Sequence, residues 1–267
     1  MKKIARDRAT GVRLVGKMEA YQPLCSVKDR TALGMIEDAE KKGLISPGDT
    51  LIEVTSGNLG IGLASSKAQS IYEGRKYTIL SCGAKDTYEK MEEVVKELLE
   101  TTPHSHHLDQ MANEANTEAH YNWTGPEIWK DTAGKVDIFV AGVGSGGTLA
   151  GVGKYLKEKN PSIQIITLPT ATGHKIQGIG VNFKDKREVL KECEHIADGE
   201  IRVSSAEAIA IAKMLAKKEG LLVGISAGAN VAACMKLASE KKNQGKMIVT
   251  MLPSSADRYL STGLFES

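Results

Sequence analysis

DIFVAGVGSGGT, residues 137–148, decides how the chain folds. Ile138, Phe139 and Val140 read as a short buried strand, the glycines as a turn, and Leu149–Lys157 as a helix. A Gly-rich turn between a strand and a helix N-terminus aims several backbone N–H groups and the positive end of the helix dipole at one spot, which suits a phosphate. Gly144, Gly146 and Gly147 allow close backbone approach and positive φ. The stretch also contains GxGxxG (Gly142, Gly144, Gly147), so a dinucleotide site and a plain αβ packing turn are alternatives to a phosphate cradle. A dinucleotide enzyme places an acidic ribose ligand about twenty residues further on, and Ser162–Thr167 holds no Asp or Glu.

Outward from this turn the chain alternates strands and helices, the α/β pattern. Thr50–Val54, Tyr77–Leu80, Val136–Ala141, Ile163–Leu168 and Met247–Leu252 read as strands. Thr31–Lys42 (closed by Gly43), Gly60–Gln69, Tyr88–Leu99, Thr148–Lys157, Ser204–Glu219 and the stretch ending at Ser239 read as helices. Residues Thr101–His120 are polar and read as loop with irregular helix, placing a domain boundary near His120: residues 1–119 and 120–267.

Composition bounds the function. The 267 residues suffice for a full core, with 41% apolar and 25% charged residues and a net charge of +2. Signs are interspersed and aromatics are few, which argues against nucleic acid; no apolar run is long enough to span a membrane. The basic opening MKKIARDRATG lacks the apolar stretch of a secretory signal, so a cytoplasmic location is expected, with an organellar one still open. Cys25, Cys82, Cys193 and Cys234 show no CxxC spacing and read as free thiols. His104, His106 and His107 read as a polar loop rather than a metal site, because nothing at suitable spacing completes a ligand set.

Four turns leading into helices carry polar groups: Ser26–Arg30, Thr55–Asn58, Gly144–Thr148 and Gly224–Gly228. In an open parallel sheet such turns gather at the carboxyl edge. Lys28 stands out. Flanked by Val27 and a helix start, it is either a desolvated, nucleophilic amine or a surface lysine paired with Asp29.

SVKDR (26–30), AEKKGLISPG (39–48), IEVTSGNLGIGLA (52–64), TGPEIWKDTAGKVDIFVAGVGSGGT (124–148), HKIQGIG (174–180), EGLLVGISAGAN (219–230) and RYLST (258–262) run in order along nearly the whole chain and resemble the cysteine synthase family. The wording of 34–48 and 124–147 is most similar to its plant members. The resemblance implies two open, twisted, mostly parallel sheets flanked by helices, the fold-type II architecture of pyridoxal-phosphate enzymes. The smaller N-terminal domain would carry Lys28, and the larger one the phosphate loop. It implies pyridoxal 5'-phosphate as cofactor, with Lys28 as its Schiff-base lysine and later the base for the substrate α-proton. Asn58 would face the ring hydroxyl, Gly144, Ser145, Gly146, Gly147 and Thr148 the phosphate, and Ser226 the pyridine nitrogen. Thr55, Ser56 and Gln110 would grip the substrate carboxylate. The implied reaction is β-replacement on O-acetylserine or cysteine by sulfide or cyanide. The family also implies a homodimer and a cleft able to take the C-terminus of serine acetyltransferase. A regulatory relative that binds cofactor and such a peptide without turnover is the alternative.

The chain departs from the family in places. Leu59 and Ser145 stand where sulfhydrylases usually have threonine, and both resemble the cyanoalanine synthases. The opening, the stretch between Leu80 and Tyr88, and that between Leu168 and His174 are short relative to the family. The latter two border the cleft.

Overall fold

The computed structural model describes residues 1–6, 10–55, 57–69, 76–81, 88–169, 174–180, 188–260, 262 and 264. Ser56, Cys82 and the two shortened cleft segments at 82–87 and 170–173 lie outside them.

The strands are β1 (Lys2–Arg6), β2 (Arg13–Met18), β3 (Thr50–Thr55), β4 (Lys76–Ser81), β5 (Ser105–His107), β6 (Ile138–Gly142), β7 (Gln164–Leu168), β8 (Gly199–Glu200) and β9 (Met247–Leu252). The helices are α1 (Lys28–Lys41), α2 (Asn58–Gln69), α3 (Tyr88–Thr101), α4 (Glu114–Ala119), α5 (Gly125–Asp131), α6 (Gly147–Lys159), α7 (Glu188–Ile196), α8 (Ser205–Glu219) and α9 (Ile225–Ser239). Two sheets form, one six-stranded in the order β1-β2-β9-β6-β7-β8 and one three-stranded in the order β4-β3-β5. Among the described residues the strands pair in parallel, except β1 with β2.

The continuous apolar run of β6 follows from burial on both faces. Ile138 and Val140 point into a cluster with α8 and α9, and Phe139 and Ala141 into one with Leu149, Val152 and Leu156 of α6. Around the small sheet, Ala32, Met35, Ile36 and Ala39 of α1 pack on Leu59 and Leu63 of α2, while Ile52 and Val54 turn to Val95 of α3.

Several expectations change. Two strands that the sequence pattern does not predict, β1 and β2, join the large sheet through β9. Helix α1 starts at Lys28 rather than Thr31, and α9 starts at Ile225, so Ser226 lies in its first turn. The 101–120 stretch holds β5, where a loop was expected, because His106 and His107 pair beside Leu51 and Ile52. It also holds α4, which runs through a π turn at His120–Thr124 into α5. Helix α8 is capped by Ser204 in a reciprocal box with Glu207. No helix among the described residues is long and apolar enough to cross a membrane.

Candidate active site

The four polar turns meet. A cavity of about 540 Å³ is lined by Lys28, Thr55, Asn58, Gly144–Gly146 with Thr148, Gln110 and Ser226. The start of α1 is fixed there because the Val27 N–H donates to Pro253 O at 2.8 Å, just past β9, and the Lys28 N–H donates to Ser26 Oγ at 3.3 Å.

Lys28 is half-buried in the cavity wall. Its Nζ donates to Gln110 Oε1 at 2.8 Å and to Ser145 Oγ at 3.1 Å, both neutral groups. Burial away from water lowers its pKa to about 8, an effect that the charge of Glu53 opposes. Asp29 is not its partner: that carboxylate accepts from the Leu24 N–H at 2.7 Å and the Ser26 hydroxyl at 3.5 Å. The desolvated-amine reading of Lys28 is therefore the one that the geometry matches.

The turn after β6 has the geometry that suits an anion. Gly146 has φ +93°, in the left-handed region, and it caps α6, whose first-turn N–H groups have no partners inside the helix. At Gly147 an added Cβ would collide with the side-chain amide of Asn116, so only glycine brings the turn this close to α4. Thr148 Oγ1 lies 3.2 Å from His120 Nε2, and His120 Nδ1 lies 2.9 Å from Thr124 Oγ1. Burial, reinforced by the charges of Lys28 and Arg30, lowers the His120 pKa to about 3, so its ring is neutral.

Opposite, Thr55 Oγ1 accepts from the N–H groups of Gly57 (3.2 Å) and Gly60 (3.4 Å), which leaves its own proton to donate. Gln110 Nε2 donates to Val54 O at 3.2 Å, and the Gln110 N–H to Glu53 Oε1 at 3.3 Å. Burial pushes the Glu53 carboxyl up to about 8. Ser226 is buried at the cavity wall. Asn230 ties three elements together, accepting from the Gly142 N–H at 3.0 Å and donating to Met251 O at 2.9 Å. Leu59 lines the cavity but is 1% exposed within the α1–α2 core.

Asn116, His120, Glu53 and Asn230 escaped the reading of the sequence. The available signal was polar residues inside otherwise apolar or helical stretches; their partners lie far along the chain. His106 stands 3.2 Å from Asp49 and His107 3.8 Å from Glu53. Among the described residues no three such groups gather to hold a metal. Cys25, Cys193 and Cys234 are free thiols.

Known proteins are similar in sequence and in fold. The family model described as pyridoxal-phosphate dependent enzyme matches residues 3–70 and 71–254. Cysteine synthase 3 of Caenorhabditis elegans is 42% identical over 292 residues, which cover 97% of this chain and 84% of the relative. Cysteine synthase A of Escherichia coli (strain K12) is 40% identical over 300 residues, covering 97% and 90%. The crystal structure of cysteine synthase from Entamoeba histolytica superposes with a TM-score of 0.83 at 34% identity, covering 96% of this chain and 83% of that one. Its fold is that of the fold-type II enzymes. From these likenesses, the chain belongs to the pyridoxal-phosphate-dependent enzymes, in the cysteine synthase family, with pyridoxal phosphate as its cofactor.

Proposed function

We propose that the protein catalyses β-replacement on O-acetylserine with sulfide, giving cysteine. The observation that carries this is the half-buried Lys28 amine, held by two neutral groups within the cavity that the Gly144–Thr148 turn also lines. The cavity fits the cofactor: the Gly146–Thr148 turn can take its phosphate, Asn58 its ring hydroxyl, and Ser226 its pyridine nitrogen. When bound, pyridoxal phosphate supplies an aldehyde for the substrate amine and a ring that acidifies the substrate α-proton.

The residues of this chain then divide the work. Lys28 Nζ, with a pKa near 8, is close enough to neutrality to take the α-proton as general base and return it. Gln110 and Ser145 fix where Nζ sits. Thr55, with its hydroxyl proton free, and Gln110 orient the substrate carboxylate; Ser56 belongs with them by family resemblance. A neutral serine at 226 leaves the pyridine nitrogen unprotonated, which restrains the electron sink and favours loss of the β-substituent. Acetate leaves from Cβ and sulfide bonds there, while the α-proton departs to Lys28 and comes back.

Cyanide is a second nucleophile worth testing, because Leu59, buried beside the cavity, stands where sulfhydrylases carry a hydroxyl. A missing hydrogen bond there costs roughly 1 kcal/mol. Cysteine with cyanide would then give β-cyanoalanine and sulfide. A homodimer and a serine acetyltransferase tail in the cleft rest on family resemblance alone.

The test supplies purified protein and pyridoxal phosphate with O-acetylserine plus sulfide, and separately with cysteine plus cyanide. Saturable cysteine formation supports the proposal, and a faster cyanide reaction shifts it to the second reading. Neither product above the Lys28→Ala background refutes both and leaves a cofactor-binding relative without turnover.

A further inference from the structure

Asn116 has no place in the proposed chemistry, yet its side chain is 0% exposed and joins three separate parts of the site. Its Oδ1 accepts from Thr31 Oγ1 of α1 at 3.0 Å. Its Nδ2 donates to the Gln110 carbonyl at 2.9 Å and to Ser145 Oγ at 2.9 Å. A carbonyl can only accept, so Gln110 O fixes which end of the amide is which. The Thr31 hydroxyl then completes the other end.

The consequence falls on Ser145. Its oxygen accepts from Asn116 Nδ2 and from Lys28 Nζ, and a hydroxyl has two acceptor positions and one proton. With both acceptor directions filled from the protein side, the proton has the remaining direction, toward the cavity that Ser145 lines. Gly147, in the same turn, leaves room for the Asn116 amide that a Cβ would occupy.

We propose that Asn116 is a positioning residue that holds the Ser145 hydroxyl as a hydrogen-bond donor aimed at the cofactor phosphate. This rests on the reading of residues 144–148 as the phosphate seat. Asn116 keeps its hold whether or not Lys28 is engaged, because its partners are all within the protein.

The test measures dissociation constants of apoprotein for pyridoxal phosphate and for pyridoxal, which lacks the phosphate. Wild type, Asn116→Ala, Ser145→Ala and the double variant form a cycle. Asn116→Ala is expected to weaken pyridoxal phosphate about tenfold, the scale of one hydrogen bond to a charged group, with pyridoxal unchanged. The double variant should bind no worse than Ser145→Ala alone. Losses that multiply, or equal weakening of both ligands, overturn the positioning role and leave Asn116 a packing residue. If Asn116→Ala does not fold, Thr31→Val frees the far end of the same amide. It should give a smaller phosphate-dependent loss that vanishes in the Ser145→Ala background; a loss that persists there overturns the proposal. Wild type that binds pyridoxal as tightly as pyridoxal phosphate overturns the phosphate seat itself, and the proposal with it.

Discussion

Lys28 and Arg30 are two residues apart on α1, about 200° around the helix; Arg30 is buried, and Lys28 is half-buried with its amine shielded from water. Their surroundings are opposite. Lys28 faces an amide oxygen and a hydroxyl, and burial pulls its pKa down to about 8. Arg30 faces two carboxylates. Its Nε donates to Glu19 at 2.7 Å and its two terminal nitrogens to Glu127 at 2.9 and 2.7 Å. Burial works against its charge too, but the bonds to Glu127 and Glu19 outweigh it and hold the pKa above the ordinary arginine value. One turn of helix thus carries a cation kept reactive by withholding a counter-charge and a cation kept inert by supplying two.

Four substitutions break or sharpen that contrast. The largest effect belongs to Lys28→Ala, expected to lower turnover by a factor on the order of 10³ and to abolish covalent cofactor attachment, measured by steady-state rates and visible absorbance. Next is Arg30→Met, which strands the wholly buried Glu19. Chemical denaturation should show a loss of about 3–5 kcal/mol.

Lys28→Met should move stability the other way. The folded-state pKa of Lys28 is lowered from 10.5 to about 8, so the cost of burying its charge is full below pH 8 and fades as pH rises toward 10.5. The apoprotein variant is therefore expected to be more stable than wild type by roughly 1–3 kcal/mol at pH 7, with the gap closing above pH 8. A destabilised variant at pH 7 would mean that Lys28 is compensated after all.

Glu127→Gln is the smallest. Glu127 is partly in water; burial raises its pKa, but Arg30 and Lys17 prevail and bring it to about 2. Its contribution is present above the unfolded value near 4.5 and is lost as pH falls through 2. Screening by solvent limits the expected loss to about 1 kcal/mol at pH 7, and acid denaturation of the two proteins should converge near pH 2.

How much of this could be read from the residues divides along the same line. Lys28 and the glycine turns announce themselves because their chemistry is local: SVKDR, TSGN and GSGGT each hold their meaning within a few positions. The Met247–Leu252 strand and the double-faced β6 were legible for the same reason, as short and mostly apolar runs. Arg30 was not, since its partners Glu19 and Glu127 lie 11 and 97 residues away. Helix α4 was legible only as irregular helix and α5 not at all, because Asn116, Thr117, His120 and Thr124 are buried polar residues that erase the apolar period. Strands β1 and β2 are short, and β2 buries Lys17 among its apolar positions, which blurs the alternation.

The most direct measurement is borohydride reduction of the protein reconstituted with pyridoxal phosphate, followed by peptide mass mapping. An uncompensated, reactive amine at Lys28 predicts one pyridoxyl group per chain on the peptide containing SVKDR, and none in Lys28→Ala. No adduct, or an adduct on another lysine, would contradict the account at its centre.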